Sequence, residues 1–570
     1  MNKLILTGAA VLFGVSAYAQ SAIDAYRLSQ PDLKGTARYM GMGGAFGALG
    51  GDLSTLSHNP AGIGVYRSSD LGFTLDLDLQ NSESHSNMGK TTNDQTKFLL
   101  NNIGFVWTLK IPSSSIPNVN IGFTYNKSVS FNRRYSGDIA LSNSLSNFIA
   151  AQTTEGGYVE GQLLGDEYNG GDPYNPTDPA DAAPWLSILG YDGYLMTQSP
   201  AGSTNYVGQW GSNTKGAGYF DVQESGGIDS YNIALGGNIA NVVFWGMDFD
   251  ITHMNYNLNT LWGENLTNAR VGDDNGKIRE MNSRWSLGNF YNCSGTGFNY
   301  KLGFIVKPIP EFRLGFAFET PTWYNLTETF SGDIYATYGD QPSIFVDTND
   351  GYLGQNSVNF RTPWKLNASA AAVLFDRLIL SGEYEWTQYS GMKYSVPSYG
   401  GWGNSWYPDY PWDPWDPWYS APATRASDFI ASNDPYYYTN SDIKTYYCNT
   451  NTLRLGAEFR VLPQLSLRAG YSYVSSPVRP EAKEDMVYTA GTIPNYRFDN
   501  TTNYVTCGLG FRVKHFYADL AYVYKHMTSE YHAFSPYYPL EGSDIPYVPT
   551  QTSSLSLNNS QIVLSAGFKF

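Results

Sequence analysis

The clearest candidates for chemistry in this sequence are four arginines, each flanked on both sides by apolar residues of an alternating run: Arg313, Arg454, Arg468 and Arg512. A guanidinium group presents a planar fork of donors that matches the two oxygens of a carboxylate. We therefore predict that one or two of them bind the carboxylate of a ligand. The alternative left open by the sequence is that they form structural ion pairs with acidic residues at equivalent positions of other runs.

Other reactive residues form no recognisable constellation. The six histidines lack the paired spacing of HExxH, and neither a GxSxG elbow nor a GxxxxGK[ST] phosphate loop occurs. The three cysteines are odd in number and show no CxxC spacing, although a bridge between Cys293 and Cys448 stays open. We predict no enzyme activity, no cofactor and no metal site.

The elements that must position the arginines are strands. Fourteen segments of the chain alternate apolar with polar or small residues, and they begin at residues 71, 103, 119, 233, 243, 298, 314, 366, 378, 453, 465, 505, 516 and 562. A period of two with one apolar face suits a strand that has lipid on one side and a polar lumen on the other. Charged residues of these runs should face inward, because a charge facing lipid costs about 2–4 kcal/mol at mid-depth.

The connections between these runs sort by parity. Every second connection is a few residues long, as at Lys514-His515, whereas the others are long: about 81–97, 128–228, 253–296, 321–363, 390–450, 475–502 and 526–560. Short turns at one end and long loops at the other are typical of outer-membrane barrels, whose long loops face outward. The sequence thus predicts an all-β fold, a 14-stranded antiparallel transmembrane β-barrel comprising residues 71–570. Its last strand ends on Phe568 and Phe570, an aromatic ending that resembles the signal read by the barrel-assembly machinery.

The N-terminus and the composition agree with export to a bacterial outer membrane. Residues 1–19 have the charge, apolar core and Ala-x-Ala ending of a signal peptide, which predicts cleavage between Ala19 and Gln20. No later segment has the roughly twenty apolar residues of a membrane helix. Aromatic residues make up 15% and charged residues only 15%, which favours a lipid-embedded wall over a soluble domain. The formal charge of −16 argues against nucleic acid as a partner.

Residues 20–70 show no strand alternation and are rich in glycine. They include the run from Gly41 to Asp52, followed by Asn59, Pro60, Ala61 and Gly62. Wall side chains alone cannot fill the interior of a fourteen-stranded barrel, so we expect this segment to be a hatch that plugs the lumen.

In these residues the chain resembles the FadL/TodX-type outer-membrane transporters of long-chain fatty acids and aromatic hydrocarbons. The resemblance rests on the glycine-rich run, on the hatch motif Asn59-Pro60-Ala61-Gly62, and on weaker matches such as Phe312-Arg313-Leu314-Gly315 and Leu467-Arg468-Ala469-Gly470. It implies passive admission of a hydrophobic small molecule through a plugged barrel, with outer-membrane lipid as the surroundings. It also implies lateral release through a kinked strand, for which Gly122 is a candidate.

The long loops leave two other functions open. A haem or other surface-ligand receptor would bind its ligand through them, and an adhesive surface protein would use them to hold a partner. The stretch 401–420, with its repeated Trp-Asp-Pro, could form an apolar or sugar-binding groove or simply shield the barrel mouth.

Overall fold

The structure, a computed structural model, describes residues 20–165, 171–176, 182–272, 277–397, 434–489, 491–540 and 542–570. The predicted signal peptide and the tryptophan-rich stretch 401–420 lie outside these residues.

The described residues contain many long strands, numbered here in chain order. The strands are β1 (Asp70–Ser86), β2 (Gly89–Lys110), β3 (Asn118–Ser130), β4 (Arg133–Ala140), β5 (Met196–Gln198), β6 (Tyr206–Gly208), β7 (Lys215–Ile239), β8 (Val243–Gly272), β9 (Ile278–Ile309), β10 (Phe312–Glu319), β11 (Trp323–Tyr338), β12 (Ile344–Asp347), β13 (Gly354–Arg361), β14 (Lys365–Leu374), β15 (Leu378–Thr387), β16 (Lys393–Ser395), β17 (Thr450–Leu462), β18 (Leu465–Val474), β19 (Tyr496–Val513), β20 (Phe516–His532) and β21 (Thr552–Lys569).

Fourteen of these strands pair edge to edge and close a barrel. Their order is β1, β2, β3, β7, β8, β9, β10, β14, β15, β17, β18, β19, β20 and β21, each antiparallel to the next. The ring closes where β21 pairs with β1, from Asp70 opposite Lys569 to His85 opposite Ser554. The predicted fold class is confirmed, and all fourteen alternating runs lie in barrel strands.

The wall has the predicted sidedness. Apolar residues such as Leu71, Phe73, Leu564 and Phe568 are exposed on the outer face, whereas Asp76 and Asp248 are buried inside. A bulge at Asn101 shifts the pairing of β2 with β1. Because Asn101 is an extra residue in β2, Phe98 and Leu100 lie on the same outer face as Ile103 although the spacing from Leu100 to Ile103 is odd.

The strands differ from the sequence expectation at the end that carries the long connections, here called the long-loop end. The connection 81–97 is a continuation of β1 and β2 around Asn87 and Met88, and most of 253–296 continues β8 and β9. In these extensions the alternation inverts, because Tyr256 and Leu258 point inward and are buried while Asn255 and Asn257 face out. Beyond the lipid the outer face meets water, so the apolar residues turn to the interior.

Short helices and a second core complete the molecule. The α-helices are α1 (Ala22–Arg27), α2 (Ala37–Met40), α3 (Thr55–His58), α4 (Leu145–Gly156), α5 (Glu160–Leu164), α6 (Trp185–Asp192) and α7 (Tyr437–Tyr446), and the 3₁₀-helices are Pro60–Val65, Thr348–Gly351, Tyr389–Gly391 and Pro480–Lys483. Helices α4 and α6 pack with the inverted strand faces into one large apolar core over the long-loop end. Among the described residues, no helix is long and apolar enough to cross a membrane. Cys293 and Cys448 are both free thiols, so the bridge left open by the sequence is not formed.

Candidate functional site

The lumen is filled by the N-terminal segment, residues 20–66, which we call the hatch. It descends from α1, under the long-loop end, through α2 and α3 to the 3₁₀-helix Pro60–Val65, which leads into β1. Met40, Phe46, Leu56 and Ile63 are completely buried, which shows how closely the hatch packs against the wall. The contact is tightest where glycines lie on both sides. A Cβ on Gly43, whose φ is +63°, would lie 2.9 Å from the backbone nitrogen of Tyr471.

The predicted hatch motif holds the hatch in shape. Asn59 donates from Nδ2 to the carbonyl of Gly47 at 2.6 Å, and its Oδ1 accepts from the backbone nitrogen of Ala61 at 3.1 Å. The amide of Gly62 donates to the carbonyl of Asn59, and the amide of Gly51 donates to the carbonyl of Gly62. Pro60 begins the 3₁₀-helix, where its missing N–H costs nothing. Asn59 therefore ties the glycine-rich run to the segment that enters β1.

We expect Asn59→Ala to weaken transport through the lumen without blocking membrane assembly. The variant loses the bond to Gly47 and the helix cap, and caps of this kind contribute about 0.5–2 kcal/mol. Vesicle uptake by the folded variant measures the effect, with Asn325→Ala, exposed on β11 outside the hatch, as the control. Uptake equal to that of the parent would remove Asn59 from the functional residues.

A buried cluster of charges joins the hatch to the wall, and we call it the latch. His58 Nε2 lies 2.6 Å from Glu383 Oε1, and Arg454 Nη1 contacts the same oxygen at 2.6 Å and Glu385 at 3.1 Å. The other oxygen of Glu383 accepts from the backbone nitrogen of Gly47 at 2.8 Å. The latch thus holds the glycine-rich run and α3 to β15 and β17 at one point.

The latch also has the donor types of a metal site, since His58, Glu383 and Glu385 offer ligand atoms within 4.8 Å of one another. However, the guanidinium of Arg454 already donates to both carboxylates. The positive charge that these groups require is therefore supplied by the chain itself.

Two further ion-pair groups bind the hatch along its length. Arg38 and Arg468 share Glu458 at 3.0 and 3.1 Å, and Arg468 also contacts Asp519 at 2.5 Å. Nearer the long-loop end, Lys34 lies 2.7 Å from Asp76, and Lys525 lies 3.2 Å from Asp32. Breaking a buried ion pair of this kind is costly, so these contacts favour the docked position of the hatch.

Of the four arginines predicted from the sequence, Arg313, Arg468 and Arg512 lie close to the short turns, and Arg454 lies further along its strand, β17. Arg454 and Arg468 belong to the ion-pair groups above, and Arg313 donates to the carbonyl of Leu49 in the hatch at 2.7 Å. Arg512 is exposed on β19, next to the turn that leads to β20. In this state the guanidinium groups of Arg454 and Arg468 are committed to wall carboxylates.

Sequence reasoning missed a second group of arginines, which surrounds α1 in the long-loop half of the lumen. We call this space the outer chamber. Arg133 Nε lies 2.8 Å from Glu224, and Arg497 Nε lies 2.6 Å from Asp499. Arg497 is buried and Arg133 is partly buried. Among the described residues, Nη1 of Arg133 has no hydrogen-bond partner, and Nη1 of Arg497 makes only a long ion-pair contact with Glu224 at 3.8 Å. Both arginines lie in segments that the sequence analysis assigned to loops, where no alternation marked them as inward-facing.

The hatch itself occupies the outer chamber through α1. The ring of Tyr26 packs against Tyr389 and Tyr447, with ring centroids 5.5 and 5.3 Å away. Arg27 is paired with Asp24 of the same helix at 2.9 Å. The charges of α1 are thus satisfied within the helix, and its tyrosine makes aromatic contacts with the chamber wall.

The strand pairing of the wall is interrupted between β2 and β3 on the side of this chamber, and we call this interruption the seam. β2 and β3 pair from Lys110 opposite Asn118 to Asn102 opposite Asn126, and their pairing ends there. Beyond that point β4 crosses the inner face of β1, where its carbonyls accept from the hydroxyls of Ser82, Ser84 and Ser86. A small polar crevice beside the seam is lined by residues that include Asn93, Gln95, Asn132, Arg133 and Asn559.

Gly122, the candidate kink, lies elsewhere. It is paired with Val106 on one side and with Ala234 on the other, so the wall is continuous there. A Cβ at this position would lie 2.9 Å from Ile63 and overlap Leu56, both in the hatch. Its small size makes room for the hatch.

Comparison with known proteins adds one family and several solved structures. The family model described as outer membrane protein transport protein (OMPP1/FadL/TodX) matches residues 239–530, slightly more than half of the 570-residue chain. Similar structures include a FadL homologue of Pseudomonas aeruginosa, at 12% identity and a TM-score of 0.48, covering 95% of this chain and 99% of that one. The toluene transporters TodX of Pseudomonas putida and TbuX of Ralstonia pickettii are each 13% identical, with TM-scores of 0.46 and 0.43 and the same coverage. No curated protein matches the sequence significantly.

Proposed function

Because this chain belongs to the family of outer membrane transport proteins described as OMPP1/FadL/TodX, we propose that it passively admits long-chain fatty acids through its plugged barrel. The observation that carries the proposal is the hatch, which fills the lumen yet is bound to the wall by a few localised ion pairs rather than by a continuous sheet. Such a plug can shift without opening the barrel. Transport of hydrophobic compounds follows from the family, and the fatty acid is the finer proposal.

The outer chamber supports a ligand with both an apolar body and a carboxylate. Its wall offers the tyrosine rings that now contact Tyr26. The Nη1 groups of Arg133 and Arg497, which make no hydrogen bond among the described residues, are donors suited to a carboxylate oxygen. We propose that the ligand displaces α1 from this chamber. The seam between β2 and β3 is the proposed place where the ligand passes the wall.

The four arginines predicted from the sequence keep a proposed role in a later step. Once the hatch has moved, Arg313 loses its partner Leu49 and becomes a donor for the passing carboxylate. Arg468 and Arg512 lie at the same end of the path, and Arg454 lies further along the wall. If folded Arg→Ala variants at all four positions bind labelled oleate like the parent, this role fails.

We expect Arg133→Gln and Arg497→Gln each to weaken oleate binding by about tenfold, since one hydrogen bond to a charged group contributes about 1.5–3 kcal/mol. Arg134→Gln is the matched control, because Arg134 lies on the same strand but is exposed and paired with Asp221. Methyl oleate, which lacks the charge, should bind all three variants like the parent. An equal loss for both ligands would indicate a damaged chamber rather than a carboxylate site.

Transport itself is tested in vesicles that contain the purified chain. We expect uptake of labelled oleate that increases when residues 20–66 are deleted. Saturable binding without uptake in both forms would instead favour a surface receptor or an adhesive protein.

A further inference from the structure

The predicted mature N-terminus lies inside the protein rather than at its surface. Gln20 is 4% exposed, and the residues that follow it, Ser21 to Ile23, are equally buried. They lie under the long-loop end, where Asn356 of β13 donates to Gln20 Oε1 at 3.3 Å. Cleavage after Ala19 would therefore create a new α-amino group in a buried environment.

A charged amine is costly at this position. An α-amino group has a pKa of about 7.7–8.0 and is mainly protonated at neutral pH, and a buried ammonium needs a carboxylate partner. Asp24, the nearest acidic residue in the hatch, is already engaged, because one oxygen accepts from Ser21 and the other from Arg27.

The neighbouring wall carboxyl does not compensate. Glu328 of β11 is the cross-strand neighbour of Asn356, so the two side chains share a face. Its Oε1 accepts from the hydroxyl of Tyr291 at 2.5 Å, and burial raises the pKa of Glu328 to about 8. In its present surroundings this carboxyl therefore resists ionisation.

We propose that Gln20 is converted to pyroglutamate and that the hatch docks in the outer chamber with this neutral end. The α-amino nitrogen attacks Cδ of its own side chain, the new N–Cδ bond closes a lactam, and the Cδ–Nε2 bond breaks. The amide nitrogen takes up the proton released by the amine and leaves as ammonia. No oxidant or other co-reactant is consumed.

The contacts of Gln20 fit this product. The atom that leaves, Nε2, has no hydrogen-bond partner among the described residues, whereas the oxygen that stays is the one that accepts from Asn356. The reaction must precede folding, because the finished barrel encloses the residue.

The test is intact-mass analysis and N-terminal sequencing of the full chain purified from outer membranes. We expect a polypeptide that begins at residue 20, is lighter by one ammonia molecule and is blocked to stepwise degradation. Gln20→Ala is the matched control and should be unblocked with no mass deficit. An unblocked Gln20, or a different first residue, would overturn the proposal.

Burial of the lactam is tested with pyroglutamate aminopeptidase. The enzyme should release the block from denatured protein and leave the folded protein intact, and equal rates for both would contradict the docked end. Glu328→Gln distinguishes the neutral lactam from the alternative, a charged N-terminus paired with Glu328. A neutral N-terminus predicts an unchanged or higher melting temperature, most clearly above pH 8, whereas a lowered one would indicate an ammonium ion paired with Glu328.

Discussion

Replacing Gly246 by leucine is expected to leave the barrel assembled but to expel its hatch. Gly246 lies on β8 with its open face against the hatch, and a Cβ there would overlap the backbone of Pro60 and Ala61. Backbone overlap cannot be relieved by a change of rotamer, unlike most overpacking, which costs about 1–3 kcal/mol. A destabilisation of the docked hatch by about 1.4 kcal/mol raises the ratio of open to docked hatch tenfold. We therefore expect ion leak through reconstituted barrels to rise by about tenfold or more.

Gly382→Leu is the matched control for this experiment. Gly382 is also a barrel-strand glycine, but its nearest neighbour is the side chain of Leu455 at 3.6 Å, on the outer face. This variant should gain an apolar contact with lipid and conduct like the parent. Heat-modifiable migration on a denaturing gel shows whether both variants have assembled. An assembled Gly246→Leu barrel that remains tight would show that this overlap does not expel the hatch.

Arg454→Met is expected to release the latch. The change leaves Glu383 and Glu385 buried without their guanidinium partner, and breaking a buried ion pair by removing one partner costs about 3–5 kcal/mol. If most of this cost falls on the docked state, the open hatch gains a factor on the order of 10²–10³. Hydrogen exchange of residues 41–65 and ion leak should both increase.

Two companion variants make this result specific. Arg460→Met removes an exposed arginine from the same strand and should change neither readout. Adding Glu383→Gln and Glu385→Gln to Arg454→Met removes the two unpaired carboxylates. This triple variant should regain much of the protection of residues 41–65 against hydrogen exchange. If the triple variant exchanges as fast as Arg454→Met alone, the loss does not come from uncompensated charge.

The outer chamber and the latch contact the hatch at different depths of the lumen, so displacement of α1 and opening of the latch can be separate steps. In the proposed mechanism a ligand in the chamber acts on α1, while the contacts of His58, Arg38 and Lys34 with the wall hold the hatch further along the lumen. Displacing α1 removes its packing from the long-loop half without breaking the latch. We infer that release into the periplasm requires the second step, in which the latch opens.

The sequence alone determined the wall. Within the lipid each strand repeats one local rule, apolar outward and polar inward, so a period of two and the parity of the connections were enough to predict fourteen strands and their closure. The inward charges were also identified correctly, because lipid penalises them wherever they occur along the chain. The motif of Asn59 and its neighbours drew attention to this segment, but its bonds to Gly47 and Gly51 could not be read from the sequence.

Only the tertiary structure decided what the inward residues do. The partners of Arg454 and Arg468 lie on other strands and in the hatch, and no local pattern records such distant pairings. The outer chamber escaped prediction because its strands leave the lipid, where the alternation inverts and Arg133 and Arg497 look like loop residues. A membrane imposes one simple rule on every strand that crosses it, whereas contacts inside the lumen are set by the packing of segments that are far apart in the chain.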